Sequence, residues 1–231
     1  DIGTAGSITL LLQAVLLPSL FADSRIKLEI KGGTDVKHSP SFDYFKYVLL
    51  PYYKLFADIS VNLIRRGFYP KGGGLVEIEI NPKFSINNYN SIEVFLKDIG
   101  SIGSLDIRSE ELEEIVIYSV SSKDLKDRNV CERMIHGALT VLNKFPEIKI
   151  KKKIEYVDTL SSGAVITIVA NKKYPFGSDF LGEKGLRAEI VGKNAAEKFI
   201  EVIKKKASVD KHLADNLIPI LSLIKGSFIT P

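Results

Sequence analysis

The sequence predicts an α/β fold, on three observations. Some segments carry apolar residues at helical spacing, while others alternate apolar and charged residues with the period of a strand. Over the first 82 residues these segments read helix, strand, helix, strand, strand. That order is most of a βαβαββ unit without its first strand, and a second α/β block follows it.

Thr4 to Ser7 offers N-caps for a helix over about residues 6–22. Its near-continuous apolar character predicts burial on most sides. Arg25 to Lys31 alternates Ile26, Leu28 and Ile30 with charges, as in a half-buried strand. After the loop Gly32-Gly33-Thr34-Asp35, Ser41 caps a second helix to about Phe56. Ser60 to Arg65 and Leu75 to Ile80 alternate again and predict an antiparallel pair.

The composition shifts near Asn81-Pro82. Strands are expected near 92–97, 101–108 and 114–120. An amphipathic helix is expected over Asp124 to Lys144, then strands over Ile148 to Val157 and Ala164 to Ala170. Gly185 to Lys206 holds a helix, Val209-Asp210 caps another to about Ile224, and Gly226 to Thr230 begins a strand.

Composition narrows the class. The 231 residues are 45% apolar and 26% charged, ordinary for a globular protein. A net charge of +4 permits an anionic partner without demanding one. The single cysteine, Cys131, excludes an intrachain disulfide and a cysteine-based zinc site. It fits a reducing compartment, and a cytoplasmic location is expected. The apolar run Ile8 to Phe21 contains Gln13 and Pro18 and is too short to span a bilayer.

The segment Arg65-Arg66-Gly67-Phe68-Tyr69-Pro70-Lys71-Gly72-Gly73-Gly74 lies between two predicted strands. Glycines at positive φ can expose successive N–H groups as an anion-binding nest. Arg66 and Lys71 would add charge suited to phosphate. The alternative is a hairpin turn with solvated charges, and residue types alone favour the turn.

Arg66 to Gly74 closely resembles the signature of the RNA 3′-terminal phosphate cyclases. Further stretches match in order: Gly3 to Gln13, Lys31 to Asp35, Phe180 to Gly185 and His212 to Asn216. The resemblance implies repeated βαβαββ units with a smaller inserted α/β domain. Residues 1–91 and 181–231 would form the core, and 92–180 the insert. It implies an ATP-dependent enzyme. A histidine is adenylylated, AMP passes to the RNA 3′-phosphate, and the 2′-hydroxyl closes a 2′,3′-cyclic phosphate. ATP and a divalent metal, Mg or Mn, are the implied cofactors, and RNA with a 3′-terminal phosphate is the implied partner. The resemblance places ATP contacts at Gln13, His212, Leu213, Ala214, Asp215 and Asn216. It leaves phosphate or RNA contact by Arg66, Lys71, Gly72, Gly73 and Gly74 as a hypothesis.

The chain lacks an initiator Met and opens on Asp1-Ile2-Gly3-Thr4 directly before a helix. It is expected to be the middle of a longer protein and to be inactive alone. The nucleophilic histidine is expected beyond Pro231, so no catalytic residue is assigned. His212 can contact adenylate, pack at a helix start or act as nucleophile, and the resemblance implies the first. His136 is expected to be partly buried and structural. Three scattered histidines do not make a zinc site. Phe68 and Tyr69 can stack on a base or pack in the core. Lys149 to Lys153 and Lys204 to Lys206 are solvated faces or phosphate contacts. The alternative to the cyclase is a non-catalytic relative acting in ribosomal-RNA processing and assembly.

Overall fold

The computed structural model describes residues 1–231 as an α/β fold with a three-stranded sheet, a four-stranded sheet and a small two-stranded one. Helix α1 (Ile8–Ser19) starts where the Ser7 hydroxyl accepts from the Leu10 N–H. It leads into β1 (Ile26–Gly32), a helix α2 over residues 42–53, β2 (Ala57–Arg65) and β3 (Gly74–Pro82). The first sheet is antiparallel in the order β1-β3-β2, with Ile30 opposite Val76 and Val61 opposite Ile78. Its first 82 residues thus carry the predicted order of elements.

Ser41 caps α2 as expected, its hydroxyl accepting from the Tyr44 N–H. A π turn over Phe45–Leu49 interrupts this helix. The π turn shifts the faces of Lys46 and Tyr47 relative to an unbroken α-helix.

Helix α3 (Ile92–Ile99) stands where a strand is expected at 92–97. The alternation of Ile92, Val94 and Leu96 is misleading, because these three side chains are exposed. The buried residues are Phe95 and Ile99, one helical turn apart, and Ser91 caps the first turn. The strand expected over 101–108 shrinks to β4 (Leu105–Asp106). A short 3₁₀ turn (Gly100–Ile102) and Gly103 at φ 96° occupy the rest of its start.

The second sheet has the order β6-β5-β7-β8. It comprises β5 (Glu114–Ser122), β6 (Lys149–Val157), β7 (Ala164–Ala170) and β8 (Gly177–Leu181). Helix α4 (Val130–Leu142) is the crossover that lets β6 run parallel to β5, while β7 and β8 are antiparallel. All seven residues of β7 are buried. β8 carries no alternation that would announce it.

Helix α5 (Ala188–Lys204) packs beside α4, and α6 (Lys211–Leu223) follows, capped by Asp210. β9 (Gly226–Ser227) pairs in parallel with β4. One apolar cluster runs from Ile8 on α1 to Ile224 after α6. Helix α2 lies at the junction of the sheets. The Ser41 hydroxyl is 2.9 Å from that of Thr167 on β7, and Tyr52 donates to the Pro175 carbonyl at 2.8 Å.

Helix α1 is less buried than its composition predicts. Ile8, Leu12 and Leu16 line one buried stripe, while Leu10 and Leu11 are exposed. No helix is long and apolar enough to cross a membrane.

Candidate functional site

The glycine-rich segment is the hairpin joining β2 to β3. Gly72 and Gly73 take φ of 63° and 74°, which side chains other than glycine adopt at a cost. The Gly72 N–H donates to the Phe68 carbonyl at 2.9 Å, so it is not free for an anion. A Cβ on Gly72 would overlap the carbonyl of Thr4, and one on Gly73 would overlap Leu160. Gly72, Gly73 and Gly74 are buried. The segment is therefore a packed turn whose glycines permit close approach of other backbone. Lys71 is exposed at its tip, with its N–H donating to the Ser161 hydroxyl at 3.0 Å. Phe68 is core, 2% exposed and packed with Val120 and Val165, whereas Tyr69 is 74% exposed.

Arg66 points inward. Its guanidinium donates to Asp35 Oδ2 at 3.1 Å and Asp43 Oδ2 at 2.7 Å, and all three side chains are buried. Glu155 lies 3.9 Å away. Burial alone would lower the Arg66 pKa, but the charges of Asp35 and Asp43 outweigh it and raise it. The Thr34 hydroxyl donates to Asp35 Oδ2 and accepts from the Gly67 N–H, so the loop after β1 clamps the hairpin base. Sequence reasoning named Asp35 only within a motif and missed Asp43. Their pairing with Arg66 spans 31 and 23 residues and leaves no local signal.

Gln13 and His212 lie on separate helices that converge on residues 40–44. Thr9, one turn before Gln13 on α1, donates to the Pro40 carbonyl at 2.8 Å. The next N–H, that of Ser41, donates to Asp179 Oδ2 at 2.6 Å. Tyr44 donates to Asp210, the cap of the helix that carries His212, at 2.7 Å. Burial pushes the Asp179 and Asp210 carboxyls up, against the hydrogen bonds that Ser41 gives Asp179 and that Tyr44 and Gly177 give Asp210. Asp210 Oδ1 accepts from the N–H groups of His212 and Leu213, which fixes the start of α6.

The other residues of this segment divide by exposure. His212 and Asp215 are exposed, and Gln13 and Asn216 are half-buried. Leu213 and Ala214 are buried in the core. Asn216 donates to the His212 carbonyl at 2.8 Å.

His136 is exposed on α4, not partly buried as expected, because the neighbouring Ile135 and Gly137 take the inner face. His38 is exposed with φ 63°. No group of three or more His, Cys, Asp or Glu side chains is arranged to hold a metal ion.

The order of the motifs, the hairpin and the two converging helices can be set beside known proteins. The RNA 3′-terminal phosphate cyclase family model matches residues 1–231. A protein named RNA 3′-terminal phosphate cyclase from Saccharolobus solfataricus is 35% identical over 231 residues, covering 99% of this chain and 63% of the relative. Those of Archaeoglobus fulgidus and Staphylothermus marinus are each 36% identical, covering 98% and 99% of this chain. This chain spans 62% of the length of each of those two relatives. With the match running from its first residue to its last, the chain belongs to the RNA 3′-terminal phosphate cyclase family.

Proposed function

We propose that the protein acts in the ATP-dependent conversion of an RNA 3′-terminal phosphate to a 2′,3′-cyclic phosphate. The observation that supports this most is that the helices carrying Gln13 and His212 are both tied near their starts to residues 40–44, through Thr9 and Asp210, in a chain that belongs to the cyclase family. The exposed and half-buried groups fit a nucleotide. The Gln13 amide can donate and accept, the His212 ring is open to solvent, and Asp215 and Asn216 can reach a ribose. Leu213 and Ala214 hold this edge to the core. A divalent metal, Mg or Mn, is proposed to arrive with the triphosphate, whose charge it neutralises.

The reaction is proposed to run through an adenylylated histidine and an RNA–phosphate–AMP anhydride. Attack by the adjacent 2′-hydroxyl then needs little more than a held leaving group, because nucleophile and phosphorus belong to one nucleotide. Lys71, exposed at the hairpin tip, is proposed to face a substrate phosphate. Gly72, Gly73 and Gly74 shape that tip, and Arg66 anchors it from within.

Two measurements test the reading. The full gene product, given α-labelled ATP, Mg or Mn and 3′-phosphorylated RNA, is expected to carry acid-labile label on histidine and to produce 2′,3′-cyclic ends. Absence of both would favour a non-catalytic role in ribosomal-RNA processing. In calorimetry, Gln13→Ala and His212→Ala are each expected to weaken ATP binding roughly tenfold, or ~1.4 kcal/mol. Unchanged affinity in both would remove the proposed ATP edge.

A further inference from the structure

A cavity of about 540 Å³ opens between α2, β2, the edge strand β6 and its neighbour β5, with Asp43 and Arg66 in its lining. Gln13, Lys71 and the His212 segment lie outside its lining. One wall is aromatic. Tyr47, on the π turn of α2, stacks on Tyr118 of β5 with ring centroids 4.4 Å apart and planes 13° from parallel. Two lysines rest against this pair. Lys153 Nζ lies 5.0 Å from the Tyr118 centroid and 6.0 Å from that of Tyr47, and Lys46 Nζ lies 5.4 Å from that of Tyr47. Lys153 comes from the basic run on the edge strand β6.

The remaining lining is mixed in charge. Asp43 and Glu155 supply acceptors, and Arg66 lines the same space. Arg66 is 4% exposed, and its Nε–H is the one buried side-chain nitrogen or oxygen in the molecule without a hydrogen-bond partner. A buried unpaired donor of this kind carries a cost that a ligand or water acceptor would relieve.

These features select among ligands by chemistry. A free phosphate would meet two carboxylates, and a simple cation would meet three basic side chains. A nucleobase edge presents donors and acceptors together, and its faces suit an aromatic wall. The volume is in the range that takes a ligand of nucleotide size. Ammonium groups lying over ring faces occupy places a stacked base would take, and their flexible stems let them swing to an adjacent phosphodiester.

We propose that this cavity takes one base of a single-stranded RNA against Tyr47 and Tyr118, with Lys46 and Lys153 holding the neighbouring phosphates. The proposal rests on the RNA reading given above and adds a second contact point on the strand, apart from the Gln13 and His212 edge.

The test uses a fluorescein-labelled single-stranded RNA decamer bearing a 3′-phosphate, followed by anisotropy. Tyr118→Ala is expected to weaken binding roughly tenfold, as for loss of one stacked base. Lys46→Ala and Lys153→Ala, both surface changes, are each expected to reduce the slope of log affinity against log salt by about 0.7. A 4-thiouridine decamer is expected to crosslink at Tyr47 or Tyr118 in the unaltered protein, which keeps the test valid if Tyr118→Ala folds poorly.

No RNA binding by the unaltered protein would overturn the RNA reading itself. Tight RNA binding with crosslinks elsewhere and unchanged lysine variants would overturn the cavity alone. Displacement of the decamer by AMP, GMP, CMP or UMP at equal molar affinity would also overturn it, since the site would then be one for free mononucleotides.

Discussion

Tyr44 donates its phenolic hydrogen bond to Asp210 Oδ1 at 2.7 Å, and both groups are buried. The same carboxylate caps α6 and accepts the Gly177 N–H of β8 at 3.0 Å. One acid thus joins α2, β8 and the helix that carries His212. Tyr44→Phe keeps the ring and removes one donor to a buried carboxylate. It is expected to cost about 1.5–3 kcal/mol in urea denaturation. Asp210→Ala removes the cap as well and should cost more. It should also loosen α6 at its start, seen as faster amide exchange at His212 and Leu213. Equal stability of Tyr44→Phe and the unaltered protein would show that Asp210 is satisfied without the tyrosine.

Arg66 compensates two buried acids at once. Arg66→Met preserves bulk but leaves Asp35 and Asp43 without a counter-charge, and breaking a buried pair in this way is expected to cost about 3–5 kcal/mol. Asp43→Asn in the Arg66→Met background should recover part of that loss, because it removes one stranded charge. A double-mutant cycle in urea measures the coupling. Strictly additive effects would mean that the two residues stabilise the fold independently.

These two clusters mark where sequence reasoning stops. The first sheet was legible because its strands alternate and its hairpin is local. The caps Ser41 and Asp210 were legible because a capping side chain acts within three residues. Helix α3 was not, since Ile92, Val94 and Leu96 imitate strand alternation while the packing falls on Phe95 and Ile99. In the candidate site, the resemblance pointed to Gln13 and His212 as expected ATP contacts and the glycine loop to Arg66, but neither gave their surroundings. Whether Arg66 faces an anion or two aspartates depends on contacts more than 20 residues apart. Glycine has no side chain to signal whether it opens a nest or admits a neighbouring backbone. Only the position of Thr4 decides that for Gly72.

Gly137 on α4 and Gly192 on α5 let the two helices touch through their backbones. A Cβ on Gly137 would overlap the Glu189 carbonyl, and one on Gly192 would overlap that of Met134. Alanine normally gains about 1 kcal/mol over glycine inside a helix. Here the added methyl meets backbone that cannot turn aside, so overpacking of about 1–3 kcal/mol is expected to win. Gly192→Ala should therefore lower the urea midpoint with an unchanged slope. A raised midpoint would mean that the helices separate without cost.

Arg133 on α4 and Glu189 on α5 close the same helix pair from its edge, with Nε and Nη2 donating to the two carboxylate oxygens at 2.8 and 3.0 Å. The hydrogen bonds from Arg133 hold the Glu189 carboxyl down to about 2, against an ordinary 4.5. A carboxyl whose folded pKa is depressed binds fewer protons in the native state than in the unfolded chain. Its stabilisation is therefore full above about 4.5 and is lost as pH falls toward about 2. Arg133 and Glu189 keep 40% and 27% of their side-chain exposure, so solvent screens the pair and its worth is at most about 1 kcal/mol. Arg133→Ala should trail the unaltered protein by up to that amount at pH 7. The gap in urea midpoints should narrow steadily between pH 4.5 and pH 2.5. A gap that stays constant across this range would mean that Arg133 contributes through the packing of its stem and not through its charge.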